Sequence, residues 1–130
     1  ESGRNIICPL HPGTKNQLEK FNIDIPKNIK IIQPVGYLDM ISLQKNARLV
    51  ITDSGGVQKE AYFYQVPCVI LRDETEWVEL VENGYSILTG SDSKCIKEAI
   101  NSMTLTEIDG KYLYGQGDAA EKIVRIMADY

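Results

Sequence analysis

Short apolar runs alternate with helix-forming segments along the whole chain, and this alternation is the feature that most constrains the fold. The run 68–71 is apolar throughout and contains two β-branched residues, as is typical of a strand covered on both faces. Because parallel strands are joined by crossover helices, the alternation predicts a Rossmann-like α/β domain over residues 1–130, with a parallel sheet and helices on both faces. The predicted strands are 6–8, 29–32, 49–52, 68–71 and 85–88, and the predicted helices are 14–21, 37–46, 56–65, 76–82, 92–103 and a last one that Asp118 caps.

Composition excludes several classes of protein. The 130 residues include 14 Lys and Arg and 18 Asp and Glu, giving a net charge of −4, which argues against a nucleic-acid-binding module. The chain has neither an apolar run of the roughly 20 residues that a membrane span needs nor a leader-like N-terminus. Three cysteines and one histidine leave little material for a zinc site and favour a reducing, cytoplasmic compartment. We therefore expect no metal and no cofactor.

The most informative segment is a glycine turn between the third strand and the next helix. Gly55 and Gly56 let the backbone turn tightly, and the first amides of the helix point outward with the positive end of its dipole. Ser54 adds a hydroxyl group, and Glu60 lies close enough to accept hydrogen bonds from a ribose diol. These residues predict a phosphate site beside a ribose contact. A plain glycine turn with a Glu that favours the helix dipole explains them equally well.

Chemically active side chains also follow the first two strands. His11 can donate to a phosphate or move a proton near neutral pH, and Tyr37 can pack on a nucleobase. Because the carboxyl ends of parallel strands meet at one edge of a sheet, we expect both to converge on the glycine turn. The alternatives are structural. His11 then only shapes a turn between two prolines, and Tyr37 only packs at the start of a helix.

Two more polar segments complete the set of candidates. Arg72 emerges directly from the fourth strand and can hold a phosphate or carboxylate with two parallel hydrogen bonds. Thr75 and Glu76 follow it, and they can equally serve as the cap and first-turn charge of the next helix. The turn 114–119, Tyr-Gly-Gln-Gly-Asp-Ala, can close over a diphosphate, although a capped helix start explains it too.

Together these motifs resemble the non-hydrolysing UDP-N-acetylglucosamine 2-epimerase family. The resemblance rests on Thr-Asp-Ser-Gly-Gly-Val-Gln-Lys-Glu-Ala at 52–61 combined with Arg-x-x-Thr-Glu at 72–76, in order with His11 and the turn 114–119. It implies a GT-B arrangement of two Rossmann-like domains that face each other across a cleft. This chain corresponds to the C-terminal, UDP-binding domain, without the N-terminal one. The resemblance further implies a UDP-sugar substrate and a homodimer of the full-length protein.

The resemblance also implies residue roles and a reaction. His11 is the catalytic residue, beside the phosphate and the reacting sugar. The implied substrate-binding residues are Ser54, Gly55 and Gly56 for the diphosphate, Glu60 for the ribose, Arg72, Thr75 and Glu76 for the cleft floor, and Tyr37 for the uracil. In the family reaction, UDP is eliminated to a glycal and is added back after the proton returns to C2 on the other face. Since the acidic catalytic residues belong to the other domain, we expect the isolated chain to bind UDP weakly without turnover.

One departure from the family pattern leaves the sugar open. Many members continue the Arg-x-x-Thr-Glu element with Arg-Pro, whereas this chain has Trp77-Val78-Glu79. That variant resembles the branch that acts on other UDP-N-acetylated sugars, including 2,3-diacetamido uronic acids. Three alternatives stand beside an epimerase of UDP-N-acetylglucosamine, and the departure bears on the first of them. They are a 2-epimerase for such another sugar, the donor domain of a UDP-sugar glycosyltransferase, and a UDP-sugar-binding module without catalysis.

Overall fold

In the computed structural model, which describes residues 5–103 and 112–129, strands and helices alternate up to the fifth helix. The elements are β1 (Ile6–Pro9), α1 (Pro12–Lys20), β2 (Ile29–Ile32), α2 (Tyr37–Lys45), β3 (Val50–Thr52), α3 (Gly55–Phe63), β4 (Cys68–Ile70), α4 (Val78–Glu82), β5 (Ser86–Leu88), α5 (Ser93–Met103) and α6 (Ala119–Ala128). The pairs β1–β2, β3–β4 and β4–β5 are all parallel. The predicted α/β class with parallel strands is confirmed.

The chain divides into two compact units, Glu1–Leu43 and Gln44–Tyr130. The first unit holds β1, α1, β2 and most of α2, and Ile6 of β1 lies opposite Ile29 of β2. The second unit holds the three-stranded sheet in the order β3–β4–β5. All the buried apolar side chains of the described residues lie in this second unit. The core of the described structure is therefore built around β4.

Helices cover both faces of the β4 strand. Cys68 and Ile70 pack in one cluster with Ala61 of α3, whereas Val69 packs with Ala99 and Met103 of α5. Successive side chains of a strand point to opposite faces, so α3 and α5 lie on opposite sides of the sheet. The arrangement predicted from the apolar run 68–71 is confirmed here. No helix among the described residues is long and apolar enough to cross a membrane.

One difference from the predicted elements lies at the start of α4, beside the candidate residues. The sequence predicts a helix from residue 76, but the helix begins at Val78. The hydroxyl of Thr75 accepts a hydrogen bond from the backbone N–H of Trp77 at 3.1 Å, so the preceding residues form a turn. The short segment between β4 and α4 is therefore loop, and it carries Arg72 and Glu76.

Candidate functional site

The start of α3 leaves its first amides outside the helical hydrogen-bond pattern. The first helical bond runs from the N–H of Gln58 to the carbonyl of Ser54 at 3.2 Å, so the N–H groups of residues 55–57 have no acceptor within the helix. Ser54 occupies the N-cap position, and its side chain makes no capping hydrogen bond with any described residue. The first turn of α3 has no acidic side chain. The positive end of this helix is therefore available to an anion.

An ion pair packs directly against the glycine turn. The two terminal nitrogens of Arg72 donate to the two carboxylate oxygens of Glu76 at 2.9 and 3.1 Å. A Cβ atom at position 55 would lie 3.2 Å from Glu76 Oε2 and 3.9 Å from Arg72 Nη1, so glycine allows this close approach. The hydrogen bonds from Arg72 hold the pKa of Glu76 below its ordinary value, and those same bonds raise the pKa of Arg72. The structure thus brings Gly55, Arg72 and Glu76 together.

The loop that carries Arg72 is anchored at the end of β5. The N–H of Gly90 donates to the carbonyl of Arg72 at 3.1 Å. Gly90 has φ +58°, in the left-handed region, and the carboxylate of Asp73 fills the space that a Cβ atom at position 90 would need. The backbone N–H of Gly90 therefore anchors the loop at Arg72.

Thr75 is used within the protein, where it joins this loop to α3. Its hydroxyl donates to Oε1 of Gln58 at 2.6 Å and accepts from the N–H of Trp77. Gln58 is fully buried, and its Nε2 has no hydrogen-bond partner among the described residues. The structural alternative, in which Thr75 and Glu76 are the cap and first-turn charge of the next helix, does not hold, because α4 begins at Val78 with Trp77 at its N-cap. The Thr75 hydroxyl instead stabilises the turn before α4. Direct contact between Thr75 and a substrate stays a prediction.

Trp77, the residue that departs from the family pattern, also contacts the glycine turn. Its indole Nε1 donates to the carbonyl of Gly55 at 2.8 Å. The Nζ atom of Lys59 lies 4.1 Å from the Trp77 ring centroid and 4.2 Å from that of Tyr114, as expected for cation–π contacts. The predicted turn 114–119 is thereby placed beside α3 through Tyr114. The role of Lys59 could not be predicted from the sequence, because the spacing of residues does not show such a contact.

Glu60 has a hydrogen-bond partner that was not predicted from the sequence. The Nε2 of Gln44, in the last turn of α2, donates to Oε2 of Glu60 at 2.7 Å. Gln44 is buried and Glu60 is half-buried. One signal was available, since Gln44 lies three residues after Ile41 and so falls on the apolar face predicted for the helix. A polar residue on such a face invites a search for its partner.

His11 and Tyr37 belong to the first unit, whereas the other candidate residues belong to the second. His11 is the N-cap of α1, and its Nδ1 accepts a hydrogen bond from the N–H of Gly13 at 3.1 Å. In the neutral ring the proton is then on Nε2, which becomes the donor toward a ligand. Tyr37 begins α2 and is exposed. The convergence of both residues on the glycine turn stays a prediction.

The described residues include no group of three or more His, Cys, Asp and Glu side chains that could hold a metal ion. All three cysteines are free thiols. Burial raises the pKa of Cys68 to about 12, so this thiol belongs to the core.

Comparison with known proteins places these features in a family. The family model for UDP-N-acetylglucosamine 2-epimerase matches residues 1–128. A UDP-N-acetylglucosamine 2-epimerase homolog of Methanococcus maripaludis is 48% identical over 98% of this chain and 37% of its own length. A UDP-2,3-diacetamido-2,3-dideoxy-D-glucuronate 2-epimerase of Pseudomonas aeruginosa is 45% identical over 95% of this chain and 34% of its own length.

Solved structures agree with the sequence relatives. The UDP-GlcNAc 2-epimerase of Methanocaldococcus jannaschii superposes with a TM-score of 0.89 at 44% identity, covering 99% of this chain and 37% of that one. Its complex with UDP-GlcNAc and UDP gives a TM-score of 0.84 at 45% identity, covering 97% of this chain and 36% of that one. The chain thus spans little more than a third of the length of these relatives. By its sequence match and its fold, it belongs to the UDP-N-acetylglucosamine 2-epimerase family.

Proposed function

We propose that the chain is the UDP-binding part of an enzyme that interconverts UDP-N-acetylglucosamine and UDP-N-acetylmannosamine by inversion at C2. One observation carries the proposal. The glycine turn at the start of α3 and the Arg72–Glu76 pair pack against each other, within a chain that the family model matches over residues 1–128. A relative of this family has been solved with UDP-GlcNAc and UDP bound.

The diphosphate is proposed to bind at the start of α3. The amides of Gly55 and Gly56 supply N–H donors and the helix dipole supplies positive potential, as at other phosphate sites. Ser54 adds a hydroxyl that caps nothing in the described structure. Arg72 uses one N–H of each terminal nitrogen for Glu76, and its remaining N–H groups can reach an anion. These groups stabilise the negative charge that UDP carries as it leaves the sugar.

The nucleoside is proposed to bind beside the diphosphate. Glu60 lies one turn further along α3, and its carboxylate can accept hydrogen bonds from both ribose hydroxyls. Tyr37 offers an exposed aromatic ring for the uracil. Thr75 and Glu76 complete the floor of the cleft, Thr75 by holding the loop and Glu76 by orienting Arg72.

The proposed reaction needs groups beyond this chain. A base removes the proton from C2, the C1–O bond breaks, and UDP leaves with the bonding electrons as a C1–C2 double bond forms. A proton then returns to C2 on the other face, and the UDP oxygen re-adds at C1. His11 can donate from Nε2 to the departing phosphate. A second domain of the GT-B type supplies the acids and bases near C2. The family resemblance adds a homodimer, and the odd number of cysteines supports a cytoplasmic location.

A second candidate substrate is a UDP-2,3-diacetamido uronic acid. Two observations favour it, namely the Trp77-Val78-Glu79 sequence in place of Arg-Pro and the 45% identity to the Pseudomonas aeruginosa enzyme. A UDP-N-acetylglucosamine 2-epimerase of Methanocaldococcus jannaschii is 46% identical, so overall identity does not separate the two substrates. Turnover assays with both substrates do.

The proposed diphosphate site is tested by Gly56→Ala. Among the described residues, a Cβ atom at this position would meet only Ser54 Oγ, at 4.0 Å, so alanine fits the fold without a ligand. We expect UDP affinity to fall at least about tenfold because the methyl group occupies the space of the phosphate. The melting temperature should stay level or rise, since alanine favours a helix more than glycine does. Unchanged UDP affinity in calorimetric titration contradicts the proposed site.

The proposed reaction is tested by restoring the rest of an epimerase. The chain is joined to the part of the Methanocaldococcus jannaschii relative that it does not match, and the product is incubated with UDP-N-acetylglucosamine in D2O. We expect deuterium at C2 and inversion at that carbon, because the intermediate takes its proton from a group that exchanges with solvent. A glycosyltransferase or a binding module gives neither. The 130-residue chain alone, as a control, is expected to bind UDP without exchange.

A further inference from the structure

We propose that Gln44 is a positioning residue that holds the Glu60 carboxylate ready for the ribose diol, an inference that rests on the proposed function. Gln44 lies in the last turn of α2, outside the motif at 52–61. It makes no contact of its own with the nucleotide in this proposal. Its effect on binding passes through Glu60.

The geometry of the pair is specific. Nε2 of Gln44 donates to Oε2 of Glu60 at 2.7 Å, a short bond of the charge-assisted kind. A carboxylate only accepts hydrogen bonds, so the amide must present its nitrogen to Glu60. The contact joins two helices and fixes one oxygen of the carboxylate. Because the carboxylate is planar and Oε2 is held, the position of Oε1 of Glu60 is restricted as well.

Burial indicates that the amide serves Glu60 more than it serves stability. Gln44 is 4% exposed, and its Oε1 has no hydrogen-bond partner among the described residues. A buried amide with an unpaired oxygen is less favourable than an apolar side chain of similar size. Stability alone would therefore favour leucine or methionine at this position. The compensating feature that the structure shows is the hydrogen bond to Glu60.

A fixed carboxylate favours binding because the ligand does not have to order it. Glutamate loses rotamer freedom when it binds a diol, and a partner that has already restricted it lowers that cost. The benefit depends on the hydroxyl groups of the ribose. It should therefore be present for a ribonucleotide and absent for a nucleotide that lacks both hydroxyls.

The experiment compares UDP with 2′,3′-dideoxy-UDP. Both are titrated calorimetrically into the wild-type chain and into the variants Gln44→Leu and Glu60→Gln. We expect the wild type to prefer UDP, and Gln44→Leu to lose about fivefold to tenfold in UDP affinity with unchanged affinity for the dideoxy nucleotide. Glu60→Gln should lose the same preference, and Gln44→Leu should melt no lower than the wild type.

The outcomes separate this inference from the proposed function. A wild-type chain that binds both nucleotides equally well contradicts the ribose site itself. A wild type and Glu60→Gln that behave as expected, with a Gln44→Leu variant that keeps the full preference, overturn only the role of Gln44. If Gln44→Leu does not fold, the side-chain amide resonance of Gln44 in the wild type decides. It should shift with UDP and stay in place with the dideoxy nucleotide, and an equal response to both overturns the inference.

Discussion

The indole N–H of Trp77 donates to the carbonyl oxygen of Gly55 across 2.8 Å. The carbonyl of Gly55 and the N–H of Gly56 belong to the same planar trans peptide and point in opposite directions. A hydrogen bond that fixes the carbonyl therefore also fixes the direction of the Gly56 N–H. In the proposed site that N–H faces the diphosphate, so Trp77 acts on the ligand through the backbone.

The first prediction removes this hydrogen bond. Trp77→Phe keeps an aromatic face for the Lys59 ammonium and deletes the indole N–H. We expect UDP to bind about threefold to tenfold more weakly, the effect of one hydrogen bond, while uridine affinity stays unchanged. Calorimetric titration of both ligands measures the difference. An equal loss for uridine and UDP shows instead that the variant distorts the whole site.

The second prediction concerns the titration of Glu76. Because Arg72 lowers the pKa of Glu76, the ion pair stabilises the folded chain above the ordinary value near 4.5, and this contribution is lost as the pH falls through the lowered pKa. In Arg72→Gln we expect the pKa of Glu76 to return toward 4.5, as followed by NMR of the side-chain carboxyl. Asp92 is the internal control, because backbone hydrogen bonds at the start of α5 lower its pKa. A Glu76 titration that does not move in Arg72→Gln contradicts the assignment.

The third prediction tests the link between the loop and α3. Thr75→Val keeps the shape of the side chain but leaves buried Gln58 and the N–H of Trp77 without their hydroxyl partner. We expect the free energy of unfolding to fall by about 1–3 kcal/mol. Thr75→Ser restores the hydroxyl and should remain within about 0.5 kcal/mol of the wild type in urea denaturation. Equal losses in the two variants contradict the role of the hydroxyl, because Thr75→Ser keeps it and Thr75→Val does not.

The fourth prediction concerns thiol reactivity. Cys68 is buried and its pKa is raised to about 12, so iodoacetamide at pH 8 should modify it only after unfolding. Cys95 is exposed, but its hydrogen bond with Asp92 raises its pKa and slows its reaction. Asp92→Asn should therefore speed the alkylation of Cys95, and mass spectrometry of the peptides measures both sites. Unchanged alkylation of Cys95 in Asp92→Asn contradicts the role of the aspartate.

The fifth prediction compares two leucines. Leu80 is fully buried against Tyr62 and Tyr85, whereas Leu38 is 79% exposed. We expect Leu80→Ala to lower the free energy of unfolding by about 2–5 kcal/mol, because it leaves a cavity in the core. Leu38→Ala should change it by less than about 0.5 kcal/mol. Urea denaturation of the two variants provides the test. A loss in Leu80→Ala as small as that in Leu38→Ala would contradict the prediction, because it would mean that neighbouring side chains fill the cavity.

Local signals explain why the order of elements could be predicted. Residues 68–70 of the run 68–71 are covered on both faces of the sheet, with Val69 against α5 and its two neighbours against α3. The absence of alternation between polar and apolar residues therefore correctly indicated a covered strand, although Leu71 at its end is exposed. The start of α4 was predicted wrongly because the hydroxyl of Thr75 accepts a hydrogen bond from the N–H of Trp77 and holds these residues in a turn. Thr75 hydrogen-bonds to Gln58, 17 residues earlier, and no pattern within the loop indicates this contact.

In the candidate site, too, residues within one motif could be predicted from the sequence, whereas contacts between separate elements could not. Ser54, Gly55 and Gly56 stand in one motif at a strand end, so their proximity to the start of α3 follows from the sequence. The contacts made by Gln44 and Lys59 come from packing between elements, and such contacts require the folded chain. The proposed phosphate-binding motif could therefore be predicted from the sequence, whereas the contacts that join its helix to Gln44 and Trp77 could not.

Gly90 is a position where a substitution can weaken nucleotide binding although the residue is not proposed to contact the nucleotide. Its backbone is left-handed and donates a hydrogen bond to the carbonyl of Arg72, and a Cβ atom there would displace the carboxylate of Asp73. We expect a substitution there to strain the backbone beside Arg72, the residue that is proposed to hold the diphosphate. A survey of random variants scored by nucleotide binding would rank Gly90 among the sensitive positions, although it lies outside the set of groups proposed to contact the nucleotide. A loss of nucleotide binding on mutation of Gly90 would therefore indicate that the loop carrying Arg72 has lost its anchor at the end of β5.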